Sequence, residues 1–106
     1  MKNPVVVVVG PVLRMGDQIE DVIAAIRDDN PNQEIAVIDR GSYVRVQGDG
    51  RVRVTQDTLR AYLGADYEIR SFGTMMSSFA GRVITTSEEI VWEKIKRDAP
   101  EGELVR

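Results

Sequence analysis

Tyr43-Val44-Arg45-Val46-Gln47 and Arg51-Val52-Arg53-Val54 flank Gly48-Asp49-Gly50, and both runs alternate valine with a polar residue. A two-residue period places successive side chains on opposite faces of a strand. The stretch therefore predicts two strands with valines on the buried face and arginines on the other. The intervening glycines suit a tight β-hairpin turn. Upstream, residues 5–9 are five consecutive valines, the pattern of a strand buried on both faces, which Gly10-Pro11 is expected to end or bend before Val12-Leu13.

A helix is expected next. Asp17 and Glu20 have capping-box spacing, and Ile19, Val22, Ile23 and Ile26 repeat at the spacing of one helical face. Asn30-Pro31 ends it, because a residue before proline is pushed out of helical geometry. Ile35-Ala36-Val37-Ile38 reads as the following strand. After the valine-arginine stretch, Thr55 can cap a short second helix carrying Leu59, Tyr62 and Leu63 on one face, with Gly64 at its C-terminus. Tyr67-Glu68-Ile69 fits a strand or a helical turn, and residues 72–78 declare no period. Val83-Ile84-Thr85 and Ile90-Val91-Trp92 form a closing hairpin about Thr86-Ser87-Glu88. The order gives an α+β fold of two successive β-α-β-β units, with helices on one face of a mainly antiparallel sheet. The 106 residues make one domain, with loose ends expected at 1–4 and 95–106.

Composition narrows the chemistry. The chain has no histidine and no cysteine, which removes the usual general base, the usual thiol nucleophile and the usual transition-metal ligands. Asp28-Asp29 and Glu88-Glu89 are close carboxylate pairs, and each reads as a solvated pair at a helix end or turn; Asp28-Asp29 also opposes the helix dipole. Gly48-Asp49-Gly50 does not join a strand to a helix N-terminus, so it is no phosphate loop. The serines have no base to activate them. A net charge of -3 argues against general nucleic-acid affinity. No targeting or membrane segment is read at the N-terminus, and the absence of cysteine fits a reducing cytoplasm.

What remains is recognition. Met75-Met76-Ser77-Ser78-Phe79-Ala80-Gly81 joins soft, adaptable thioethers and a phenyl ring to small residues, a composition that fits a core filler and a docking surface equally. The arginine face beside Tyr43 fits a solvated sheet face, and it fits protein recognition through Arg and Tyr anchors.

Several stretches in fixed order resemble one family. Val8-Val9-Gly10-Pro11-Val12-Leu13-Arg14 is followed by Gly16-Asp17, Asp29-Asn30-Pro31 and Ile38-Asp39-Arg40-Gly41-Ser42-Tyr43-Val44-Arg45-Val46. Thr58-Leu59, Leu63-Gly64 and Ser77-Ser78-Phe79-Ala80-Gly81 continue the series. Together they resemble the regulatory or effector proteins of soluble multicomponent diiron monooxygenases, in particular the four-component toluene and alkene type. The apolar N-terminal run and the segment after Lys94 depart from the pattern. The long N-terminal extension of the methane monooxygenase regulatory protein is missing.

The resemblance implies a double β-α-β-β fold with no metal or organic cofactor. From charge and patterning no nucleic-acid or membrane partner is expected, and, with no coiled-coil heptad or long exposed apolar helix to call for a dimer, a monomer is expected when free. The resemblance further implies a non-catalytic protein that binds the diiron hydroxylase large subunit, functionally coupled to a reductase and an electron-transfer ferredoxin. Such a protein tunes oxygen activation, coupling and regioselectivity. The expected partner-binding residues are Arg40, Tyr43, Arg45, Met75, Met76, Ser77, Ser78, Phe79 and Gly81. The competing readings are a partner-free α+β domain with a small-ligand pocket, and a nucleic-acid binder using the arginines.

Overall fold

Alternating valines direct the chain into strands, and the computed structural model, which describes residues 7–95, arranges ten elements around them. In order these are β1 (Val8–Arg14), α1 (Ile19–Asp29), β2 (Ala36–Asp39), β3 (Tyr43–Asp49), β4 (Arg51–Thr55), α2 (Gln56–Leu63), α3 (Ile69–Met75), β5 (Met76–Ala80), β6 (Arg82–Thr85) and β7 (Glu89–Glu93). The fold is α+β, and two β-α-β-β runs are recognisable, the second enlarged by a helix and a strand. All pairings are antiparallel. They form two sheets, one ordered β2-β3-β1-β5 and the other β4-β7-β6.

The two-sheet arrangement corrects the expected central hairpin. The alternation holds, since Val44, Val46, Val52 and Val54 are buried while Arg45 and Arg51 are exposed. Yet β3 pairs with β1 and β2, whereas β4 pairs with β7. A two-residue period settles which face is buried but says nothing of which strand lies alongside. Gly50, at φ +80, lets the chain step from one sheet to the other, and its amide and carbonyl are held by Val7 O (2.8 Å) and Lys94 N (3.0 Å). Gln33 braces the step by accepting from Asp49 N and donating to Arg51 O.

The first strand is also corrected. It runs through Gly10-Pro11 to Arg14, while Val7 and Val8 at its start are exposed. Pro11 lacks an N–H, and the β1–β3 pairs skip from Val9↔Gly48 to Val12↔Arg45 at that point. Gly10 makes the passage possible: at φ +139 it lies so close to β3 that a Cβ would strike the Val46 carbonyl. Residues 5 and 6 of the valine run, the expected loose end at 1–4 and residues 96–106 of the expected tail lie outside the described residues.

Helix α1 buries Ile19, Val22, Ala25 and Ile26 and stops at Asp29, as Asn30-Pro31 dictates. No capping box forms, because the N-cap is Gln18 and it makes no side-chain bond. Thr55 does cap α2, accepting from Thr58 N at 3.2 Å, and α2 ends at Gly64 with φ +115. Of the expected apolar face, Leu59 is buried but Tyr62 is exposed and its hydroxyl donates to Asp28. The expected β6–β7 hairpin is present.

In each of the acidic pairs Asp28-Asp29 and Glu88-Glu89, read as solvated, one member is structural. Asp29 accepts from Thr55 N (2.8 Å), Thr55 Oγ1 (3.2 Å) and Thr58 Oγ1 (2.8 Å), so the carboxylate that opposes the α1 dipole sits favourably at the N-terminus of α2. Glu89 pairs with Arg53 at 2.9 Å. The core joins both sheets and all three helices. Trp92 is fully buried within it, its ring 5.7 Å from that of Phe72, and its indole N–H finds no partner among the described residues.

Candidate functional site

The register of the four-stranded sheet decides which side chains share its outer face. Val9, Leu13, Val44 and Val46 point into the core, so their neighbours Gly10, Val12 and Arg14 on β1 and Tyr43, Arg45 and Gln47 on β3 point the other way. Val12 lies opposite Arg45 on one side and Ser78 on the other, and Gly10 lies opposite Ala80. The valine-arginine stretch and the Ser77–Phe79 stretch, far apart in sequence, thus meet across β1.

Between them lies a shallow concavity of about 240 Å³, whose lining includes Pro11, Val12, Tyr43, Arg45, Gln47 and Phe79. The Arg45 guanidinium carbon is 6.0 Å from the centre of the Tyr43 ring, at the limit of a cation–π contact. Arg14, Arg40 and Arg45 take part in no ion pair among the described residues, and at this end of the sheet they stand with the exposed carboxylate of Asp39, which accepts from Gly41 N in the β2–β3 turn. Arg40 itself stands in the β2–β3 turn, where its amide donates to Tyr43 O.

Among the described residues β5 is an edge strand, with β1 on one side and no strand on the other. Its pairing shifts register between Val12 and Leu13, and Ser77 is the extra residue, its hydroxyl donating to Val12 O. Ser77, Ser78 and Phe79 are exposed, whereas Met75 and Met76 are half-buried against the core. The run that composition left open is therefore divided: the methionines pack inward and the Ser-Ser-Phe part faces out. Gly81, at φ +90, turns the chain into β6, and a Cβ there would press on Glu93 O at 2.6 Å, so its glycine is explained by the turn.

Sequence reasoning missed Val12, Arg14 and Gln47 as members of this face. Reading Gly10-Pro11 as an end or bend hid the strand that carries two of them; continued alternation through Val12 and Arg14 was the signal available.

The concavity is smaller and more open than small-molecule pockets, which usually measure about 300–1,000 Å³. It suits one side chain of a larger partner. A wider hollow of about 570 Å³ near the start of α2 mixes Arg53 and Arg60 with Asp57, Glu88 and Glu89, and Arg53 there is already held by Glu89. Among the described residues no three potential metal ligands cluster, and no helix is long and apolar enough to cross a membrane. The arrangement offers contact surfaces and charge rather than a nucleophile or a base.

An α+β fold with an open, anchored sheet face places the molecule among small recognition proteins. The chain belongs to the MmoB/DmpM family, whose sequence model matches residues 7–93. It is 40% identical over 84 residues to the effector subunit of the alkene monooxygenase system of Xanthobacter autotrophicus strain Py2, covering 79% of this chain and 83% of that one. Its fold is similar to a chain in the structure of the phenol hydroxylase–regulatory protein complex, with a TM-score of 0.70, 23% identity, and coverage of 81% and 97%. It is also similar to the soluble methane monooxygenase regulatory protein B, with a TM-score of 0.65, 25% identity, and coverage of 88% and 71%.

Proposed function

We propose that this chain is the non-catalytic effector of a soluble multicomponent diiron monooxygenase that oxidises an aromatic or alkene hydrocarbon. It binds the hydroxylase through the outer face of the β2-β3-β1-β5 sheet and the adjoining β5 edge. Arg40, Tyr43 and Arg45 anchor one side of the contact and Ser77, Ser78 and Phe79 the other. By favouring the hydroxylase conformation that it binds more tightly, it tunes oxygen activation, coupling and regioselectivity. It works in the cytoplasm beside a reductase and an electron-transfer ferredoxin. The observation that carries this reading is the convergence of the two sequence-distant stretches on one concavity, in a chain 40% identical to an alkene monooxygenase effector subunit.

The test is a titration of this chain into the cognate hydroxylase, reductase and ferredoxin while product formation and NADH consumption are followed. A saturable rise in rate, or in product per NADH, is expected. A flat response from folded protein that does not bind the hydroxylase would refute the proposal. The partner-free ligand-binding reading predicts binding or turnover by the chain alone.

A further inference from the structure

Helix α3 is held weakly for an element that leads directly into the docking strand. It spans seven residues, under two turns. Its N-cap residue Glu68 makes no side-chain cap bond and instead meets Arg70 in an exposed ion pair at 2.8 Å, and within the helix no acidic residue stands in the first turn or basic residue in the last. The side-chain acceptor that does reach its N-terminus, Gln56 Oε1 on Ile69 N, comes from α2. Gly73 lies inside the helix, where glycine is less favourable than alanine, and a Cβ there would meet nothing within 4 Å. Packing inside the molecule therefore does not call for a glycine. Thr74 turns its hydroxyl back onto Ser71 O, a local bond that competes with helical geometry.

The strand it feeds has room to grow. β1 extends to Arg14, which pairs with Tyr43 on β3, but on the β5 side the pairs end at Leu13↔Met76. One more residue of β5 would set Met75 opposite Arg14. Met75 and Met76 at the junction are half-buried and carry flexible thioether side chains that can repack.

We propose that the last turn of α3, residues 73–75, is a yielding joint that unwinds on docking and lengthens β5 by Met75. Phe72 stays against Trp92 as the fixed end, and Gly73 is the residue that keeps the helical alternative shallow. The extended form brings Met75 beside Ser77, Ser78 and Phe79, and the partner that grips it more tightly draws the joint open. This inference rests on the docking reading above.

Two substitutions stabilise α3 from opposite ends: Gly73→Ala in the helix, and Glu68→Ser, which installs a good N-cap in place of an exposed ion pair worth little. Thermal melting and activation titrations with the hydroxylase are measured for both. Gly73→Ala is expected to shift the helix-to-extended balance about fivefold towards helix. Both variants are expected to melt higher than wild type and to need more effector for half-activation, up to about fivefold for Gly73→Ala. Higher melting with half-activation unchanged or lowered would overturn the proposal, because the helix then persists in the complex. Weakening by Gly73→Ala alone would overturn it too, since the new methyl group would then be meeting the partner. So would the absence of any stabilisation. Failure of the wild-type chain to activate at all is a separate result that removes the docking reading and this inference with it.

Discussion

Replacing Phe79 with alanine separates what its ring does in the free protein from what it does in the complex. Phe79 is 42% exposed, and complete burial of such a side chain is worth about 1.5–3 kcal/mol. The covered part, somewhat over half, sets a loss of roughly 1–2 kcal/mol in folding stability, read from the urea midpoint. The exposed part is what a partner would cover, worth roughly 1 kcal/mol, or about a fivefold rise in the effector concentration giving half-activation. Phe79→Leu keeps most of the apolar area and should recover most of both losses. If the plateau at saturating effector is unchanged, Phe79 grips both hydroxylase conformations alike; a lower plateau means that it grips the active one preferentially. A folded Phe79→Ala protein with an unaltered activation curve would refute the placement of the β5 edge in the contact.

The remaining predictions concern charge, the α1–α2 clamp and a buried hydroxyl. Arg45→Glu reverses an exposed charge that takes part in no ion pair among the described residues, so half-activation should rise by about tenfold or more at low ionic strength, and the gap to wild type should narrow as salt is raised. A gap independent of salt would point to lost shape instead of lost charge. Asp29→Ala strands the Thr55 amide and the Thr58 hydroxyl, while the Thr55 hydroxyl keeps Thr58 Oγ1 as acceptor, and should cost about 2 kcal/mol in the urea midpoint; a change under about 0.5 kcal/mol would show that water replaces the clamp. Burial raises the Tyr67 phenol pKa above its ordinary value, and its hydroxyl has no partner among the described residues. That contribution to stability is therefore fully present below about pH 10 and is lost as pH rises through the raised folded-state pKa. Tyr67→Phe should be neutral or up to about 1 kcal/mol stabilising at pH 7 and should lose its share of the alkaline destabilisation, as measured by denaturation midpoints from neutral to alkaline pH. A clear loss of stability at pH 7 would mean that the hydroxyl is satisfied.

Local sequence carried much of the fold because many elements announce themselves through short-range physics. Val44, Val46, Val52 and Val54 mark their buried face by period alone, Pro31 stops α1, and Thr55 caps α2. What stayed hidden depends on partners distant in the chain. β3 and β4 look like a hairpin until β1 claims the first and β7 the second. Helix α3 offers only Ile69 and Phe72 as buried residues, too few to establish a helical period. The site was half legible for the same reason. Its residue types stood out in two stretches, but their meeting depends on β1 passing through Gly10-Pro11, which local rules read as an end or a bend. Nor could composition divide the methionine run, because whether Met76 faces the core is settled by its register against Leu13.

The division of that run bears on how a protein without reactive groups could alter another's chemistry. Shifting a two-state partner from about 1:99 to 99:1 needs roughly 5.5 kcal/mol of differential affinity. An edge phenyl ring supplies roughly 1 kcal/mol by the area left to cover. Desolvated Arg and Tyr anchors in an interface supply more, about 2 kcal/mol or above each when central. Phe79, Tyr43 and Arg45 together therefore reach the required scale only if most of their contact is made with one conformation of the hydroxylase. A rigid face meeting both conformations equally would bind tightly and switch nothing. The yielding joint at residues 73–75 addresses this requirement, because an added β5 residue and a released Met75 are contacts available only when the joint opens. On the proposed docking, the element that changes would then add to the discrimination, while Tyr43 and Arg45, fixed on strand β3, would supply affinity.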